Sequence, residues 1–153
     1  MSGAPSGRRF QILLLEDNPG DVYLFRRALK GAGLDFELTV IEDGASGLAF
    51  ARRQGKYETS CIPDLAVLDL NLPKGSGESV LVAMRQSRDL ERVQVIIMTS
   101  TATPREQANA KALGVEHFIT KPAGLEKFMQ IGEVVKDLLM KGVAPHISST
   151  QAK

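Results

Sequence analysis

Leu65-Ala66-Val67-Leu68-Asp69 is a fully apolar run that stops on a carboxylate. An uninterrupted apolar run of this length is what a strand covered on both faces requires, and such strands belong to parallel sheets. Three more runs share the pattern. Ile12-Leu13-Leu14-Leu15 leads into Glu16-Asp17, Val95-Ile96-Ile97-Met98 into Thr99-Ser100, and His117-Phe118-Ile119-Thr120 into Lys121-Pro122. If all four are parallel strands of one sheet, their polar ends open at one edge. That edge of an open α/β sheet is where ligands bind.

Helical patterns fill the intervals. Asn18 caps a helix predicted over Pro19–Ala32, with Pro at its first position and Gly33 past its end. A second strand is predicted at Phe36–Ile41, and a second helix runs from its cap at Asp43 to about Gln54. The third helix is placed at Ser76–Gln86 and the fourth strand at Gln94–Met98. Thr103-Pro104-Arg105-Glu106 is a capping box that opens a fourth helix ending at Gly114. A short fifth strand at Glu116–Ile119 and a fifth helix at Leu125–Met140 complete the pattern. Five βα units predict a flavodoxin-like, doubly wound, five-stranded parallel sheet of order 2-1-3-4-5. Residues 1–8 and 142–153 have the composition of a disordered N-terminus and a C-terminal tail, leaving 9–141 as the domain.

Composition bounds the function. The 153 residues are 43% apolar and 24% charged, with a formal net charge of +1, which offers no bulk attraction to nucleic acid or a membrane surface. The Arg8-Arg9 pair is too short for a basic patch and reads as solvated. The single cysteine, Cys61, permits no internal disulfide and suits a reducing compartment. The small, polar start Met1–Gly7 is not expected to act as a signal peptide, and no apolar stretch of the sequence approaches membrane-spanning length. A cytoplasmic protein is expected.

At the shared edge, Glu16, Asp17 and Asp69 would repel one another without a cation among them, and hard oxygen ligands suit Mg2+. Asp69, at the end of the most buried strand, is the candidate phosphoryl acceptor. Asp17 and Asp69 are the natural magnesium ligands, with the backbone carbonyl of Asn71 as a third and Glu16 acting through a water or orienting Asp17. Lys121 and Thr99 would serve phosphate oxygens. Singly, each element has an ordinary reading: an acidic helix cap, a Lys-Pro turn, a structural threonine.

The set resembles the receiver domain of two-component response regulators. The motifs are Leu-Leu-Leu-Glu-Asp-Asn-Pro-Gly-Asp (13–21), Pro-Asp-Leu-Ala-Val-Leu-Asp-Leu-Asn-Leu-Pro (63–73), Ile-Ile-Met-Thr-Ser (96–100) and Phe-Ile-Thr-Lys-Pro (118–122). The resemblance implies a phosphoprotein rather than an enzyme, in which Asp69 takes phosphate from a histidine kinase. It makes Thr99 the switch hydroxyl, Lys121 the phosphate partner, Phe118 the aromatic switch, and the bond before Pro122 cis. The Glu-Asp-Asn-Pro-Gly-Asp opening and the Asp-Leu-Asn-Leu-Pro loop resemble stand-alone receivers that partner phytochrome-type kinases. A phosphorelay regulator without an output domain is therefore expected.

Two rivals are weighed. A haloacid-dehalogenase-type phosphatase needs a second acid two residues after its nucleophile, where this chain has Asn71. A pseudo-receiver scaffold would be expected to lack one of the acids or the lysine. Finally, Leu125, Phe128, Gly132, Val135 and Leu139, with Met129, Ile131, Val134 and Leu138, make the fifth helix apolar over a wide arc. One sheet face cannot bury all of them, so a homodimer through the fourth helix, fifth strand and fifth helix is expected.

Overall fold

The computed structural model of the chain describes residues 9–143. The disordered N-terminus expected at 1–8 and most of the tail expected at 142–153 lie outside the described residues. Strands β1 (Phe10–Leu15), β2 (Phe36–Ile41), β3 (Leu65–Leu68), β4 (Gln94–Thr99) and β5 (His117–Thr120) form one parallel sheet of order β2-β1-β3-β4-β5. Helices α1 (Pro19–Gly31), α2 (Gly44–Ala51), α3 (Gly77–Gln86), α4 (Pro104–Ala112) and α5 (Leu125–Val143) connect and cover them. This is the flavodoxin-like arrangement that the alternating pattern predicts.

Alternation along each strand splits the core in two. Phe10, Ile12, Leu14, Leu65, Val67, Ile96 and Met98 face α1 and α5, where they join Phe25, Leu29, Phe128 and Val135. Leu13, Leu15, Ala66, Leu68, Val95 and Ile97 face the other side and meet Phe50, Val80, Leu81 and Met84. Both faces of the sheet are therefore dry over Ile12–Leu15, Leu65–Leu68 and Val95–Met98, which is why these stretches carry no polar side chain, whereas Gln11 and Gln94 fall at the half-buried starts of β1 and β4.

Several boundaries shift. Helix α2 stops at Ala51, because Arg53 turns left-handed (φ 56°) and the Gln54 N–H returns to the Ala49 carbonyl at 2.9 Å. A short 3-10 turn, Gly55–Tyr57, follows where the end of the helix was expected. Beyond β3 the chain forms a small hairpin pairing Asn71 with Ser76 and Leu72 with Gly75, which the sequence reading did not foresee. Helix α5 runs three residues further than expected. Among the described residues every peptide bond is trans, so the cis bond implied before Pro122 is corrected; for an X-Pro bond the intrinsic preference favours trans by about 0.5–1 kcal/mol. Arg9 is not merely solvated, as its guanidinium pairs with Asp35 at 3.2 Å.

The expected apolar strip on α5 is also corrected. Phe128, Ile131, Val135, Leu138 and Leu139 are buried, and Val134 and Met140 pack against the same core; Leu125, 53% exposed, is the outlier. The sheet is not their only cover, because α5 lies along α1. Gly132 lets the two backbones approach until a Cβ there would collide with the Ala28 carbonyl oxygen, and Gly31 faces the Met129 methyl. Burial against α1 removes the ground on which the dimer was expected.

Candidate functional site

In-register pairing aligns Leu15 with Leu68, Leu68 with Ile97 and Ile97 with Phe118, so the strand ends are level. The ladder runs on past them: the Asp69 N–H donates to the Leu15 carbonyl (3.1 Å) and the Lys121 N–H to the Thr99 carbonyl (2.9 Å). This brings the four polar ends together.

Asp69 is 5% exposed and its two oxygens have different partners. Oδ1 accepts from the Thr99 hydroxyl (2.9 Å) and from the Asn71 N–H (2.9 Å); Oδ2 accepts from Lys121 Nζ (2.7 Å). Thr99 is itself held inward, since Asn71 Nδ2 donates to its Oγ1 at 3.0 Å. Asn71 thus presents an amide where the rival phosphatase chemistry requires an acid. Phe118 is half-buried on the Ile97 face of the sheet, the face that Thr99 continues, one strand away from it.

Lys121 is the hub. Its ammonium lies 2.7 Å from Glu16 Oε1, 2.7 Å from Asp69 Oδ2 and 2.9 Å from Asp21 Oδ2. Burial alone would push this amine below its ordinary value of 10.5, but hydrogen bonds to Asp69, Glu16 and Asp21 outweigh it and raise the pKa. Glu16 is 1% exposed, and its burial raises its pKa despite Lys121 and the Asn18 N–H, which donates to Oε2 at 3.1 Å. Its Oε1 is ion-paired with Lys121 but has no aligned hydrogen bond.

Asp21 was missed. It stands at the third position of α1, where an acid ordinarily complements the helix dipole, and its N–H is capped by Asn18 Oδ1 (3.2 Å). Its carboxylate instead reaches a lysine 100 residues away. Its place at the end of the 13–21 motif was the available signal. Replacing Asp21 with Asn should lower stability by about 1 kcal/mol at neutral pH, as the pair is partly exposed. It should also bring Lys121's alkaline titration to lower pH. Urea unfolding at pH 7 and pH 11 checks both; no change at either pH would make Asp21 a bystander.

Glu16, Asp17 and Asp69 offer carboxylate oxygens within 4.8 Å of one another, two of the three residues being buried and Asp17 exposed. An all-oxygen donor set of three carboxylates gathered at one point fits a hard divalent cation.

An acidic pair, a buried carboxylate, a hydroxyl and a lysine at the carboxyl edge of a five-stranded doubly wound sheet define a receiver-type site. The chain belongs to the response regulator receiver domain family, whose model matches residues 12–133. It is 34% identical over 132 residues to the response regulator Rcp1 of Synechocystis sp., covering 86% of this chain and 90% of that one. Among solved structures, the phosphorylated cyanobacterial phytochrome response regulator RcpA superposes with a TM-score of 0.79 at 31% identity, covering 87% of this chain and 95% of that one. The Mn2+-bound form of Rcp1 gives 0.77 at 33% identity, covering 86% and 95%. No helix among the described residues is long and apolar enough to cross a membrane.

Proposed function

We propose that the chain is a stand-alone, cytoplasmic regulator of a phosphorelay that accepts a phosphoryl group on Asp69 from the phosphohistidine of a histidine kinase. The observation that carries this is the pairing of Asp69 with a hydroxyl on one oxygen and an ammonium on the other. An Asp69 carboxylate oxygen attacks phosphorus, the P–N bond breaks with its electron pair passing to the ring nitrogen, and the imidazole, already protonated on its other nitrogen, leaves neutral. Lys121, released from Asp69 Oδ2, follows the charge onto a phosphoryl oxygen while Glu16 and Asp21 keep its ammonium in place. Thr99 donates its hydroxyl to another phosphoryl oxygen.

Asp17, Asp69 and the Asn71 carbonyl would hold Mg2+, with Glu16 contributing through a water; the ion supplies counter-charge to the transferred group. The Mn2+-bound form of Rcp1 supports a divalent ion in such a site. The phytochrome response regulator among the similar structures supports a phytochrome-type kinase as the partner.

Incubation with acetyl phosphate and Mg2+, followed by Phos-tag electrophoresis, tests the reading. A shifted band is expected, and it should vanish with chelator and in Asp69→Asn. A band that survives in Asp69→Asn moves the phosphoryl group elsewhere, and no band in wild type favours an unphosphorylated scaffold.

The switch surface is the α4–β5–α5 face. Phe118 there borders a groove of about 680 Å³ lined by Gln107, Ala108, Lys111 and Val115. As Thr99 is drawn to the phosphoryl group, the Phe118 ring moves into the vacated space, shifting a two-state balance. Phosphorylation should therefore move the Phe118 ring resonances; identical spectra with and without phosphate would make Phe118 plain core.

A further inference from the structure

The hairpin after β3 does not hang free over the site; it leans on the start of α2. The Gly44 N–H donates to the Pro73 carbonyl at 2.8 Å. A Cβ on Gly44 would lie 2.7 Å from Gly75 Cα and 2.9 Å from both Gly75 C and the Lys74 oxygen. All three atoms are backbone, so no side-chain rotation relieves the clash. From the other side, a Cβ on Gly75 would sit 3.2 Å from Gly44 Cα, and Gly75 has a φ of 137°, open only to glycine. Loop and helix therefore touch main chain to main chain.

Gly44 is not in a left-handed conformation and opens a helix, where alanine would gain up to about 1 kcal/mol of propensity. Close approach is the physical reason for glycine at this position. The far side of the hairpin is Asn71. It lies one rung from the Leu72–Gly75 pair, and it donates to both Asp69 Oδ1 and Thr99 Oγ1.

We propose that Gly44 is a positioning residue for the phosphoacceptor site: by admitting Gly75 against α2, it sets where Asn71 stands beside Asp69 and Thr99. The inference rests on the magnesium and phosphoryl reading above. A helix that none of the site residues belongs to thus becomes its backstop. Mg2+ tolerates little departure from octahedral geometry, so a shift of a few tenths of an ångström at Asn71 is felt as affinity.

The test compares Gly44→Ala with Gly47→Ala in the full-length protein. A Cβ on Gly47 would press on Val80 Cγ2 (2.8 Å) and Leu15 Cδ2 (3.0 Å), perturbing the same helix away from the hairpin. Mg2+ affinity by calorimetry and acetyl-phosphate uptake at saturating Mg2+ are the readouts. Gly44→Ala should weaken Mg2+ binding and slow uptake by about tenfold or more, the range for losing an outer partner of a metal site. Gly47→Ala should keep both within about twofold, whatever it does to the urea midpoint. Wild-type behaviour in Gly44→Ala, or equal losses in the two variants, overturns the proposal. If Gly44→Ala does not fold, wild-type NMR decides: Mg2+ titration should move the Gly44 and Ala45 amide resonances along with that of Asn71, and static α2 amides overturn it. A wild type that neither binds Mg2+ nor takes phosphate sinks the site reading instead, and is seen before any variant is made.

Discussion

Lys121→Met should destabilise the metal-free protein by about 3–5 kcal/mol, the cost of leaving buried charge without its partner. The Lys121 side chain is 10% exposed and its ammonium touches Glu16 and Asp69, whose side chains are 1% and 6% exposed, so solvent cannot take its place. Two dependences identify the cause. Lys121's pKa is raised on folding, so its contribution is complete below its ordinary value of 10.5 and is lost as pH rises through the higher folded value. In that window wild type should lose about 1.4 kcal/mol per pH unit that the variant does not. Glu16 is also raised, from an ordinary 4.5, so its protonation favours the folded state; the variant's deficit should narrow as pH falls toward the carboxylate range. Adding Mg2+ should recover part of the loss by binding the folded state alone. Equal urea midpoints at pH 7 would mean the ammonium contributes nothing net among these acids.

Phe128→Ala should cost a further about 3–5 kcal/mol in its own right, by opening a cavity between α5 and the sheet. The ring is 2% exposed in the cluster that holds Phe25 and Leu29. For a chain of this size the loss should appear as a fall of about 6–20 °C in Tm by circular dichroism. Leu125→Ala, one turn earlier and 53% exposed, should stay within about 0.5 kcal/mol. A large loss at Leu125 would mean that something covers it in solution. It would restore the case for self-association through the α4–β5–α5 face, with sedimentation as the deciding measurement.

The fold was legible because two-sided burial leaves so plain a mark: Leu65–Leu68 and Ile96–Met98 carry no polar atom until the ladder ends. The meeting of Glu16, Asp17, Asp69, Thr99 and Lys121 was legible too, since parallel in-register strands must bring their ends level. Asp21 was not, because a first-turn acid on a helix has a sufficient local explanation, and only the fold shows that it reaches Lys121. The hairpin at Asn71–Leu72 and Gly75–Ser76 is too short for any periodic signal. The apolar width of α5 was read correctly and interpreted wrongly. The sheet was counted as its sole cover, whereas Gly132 admits α1 as a second wall, and nothing in a local pattern distinguishes the two.

The α1–α5 contact has a consequence for how the protein is made. The earliest helix packs on the latest one described, so a ribosome completes Leu29 about 100 residues before it supplies Phe128. At roughly 5–20 residues per second, the nascent chain carries the unpaired greasy flank of α1 for about 5–20 s. For that interval Phe25 and Leu29 are bait for chaperones and for neighbouring nascent chains, and arrival of α5 ends the exposure.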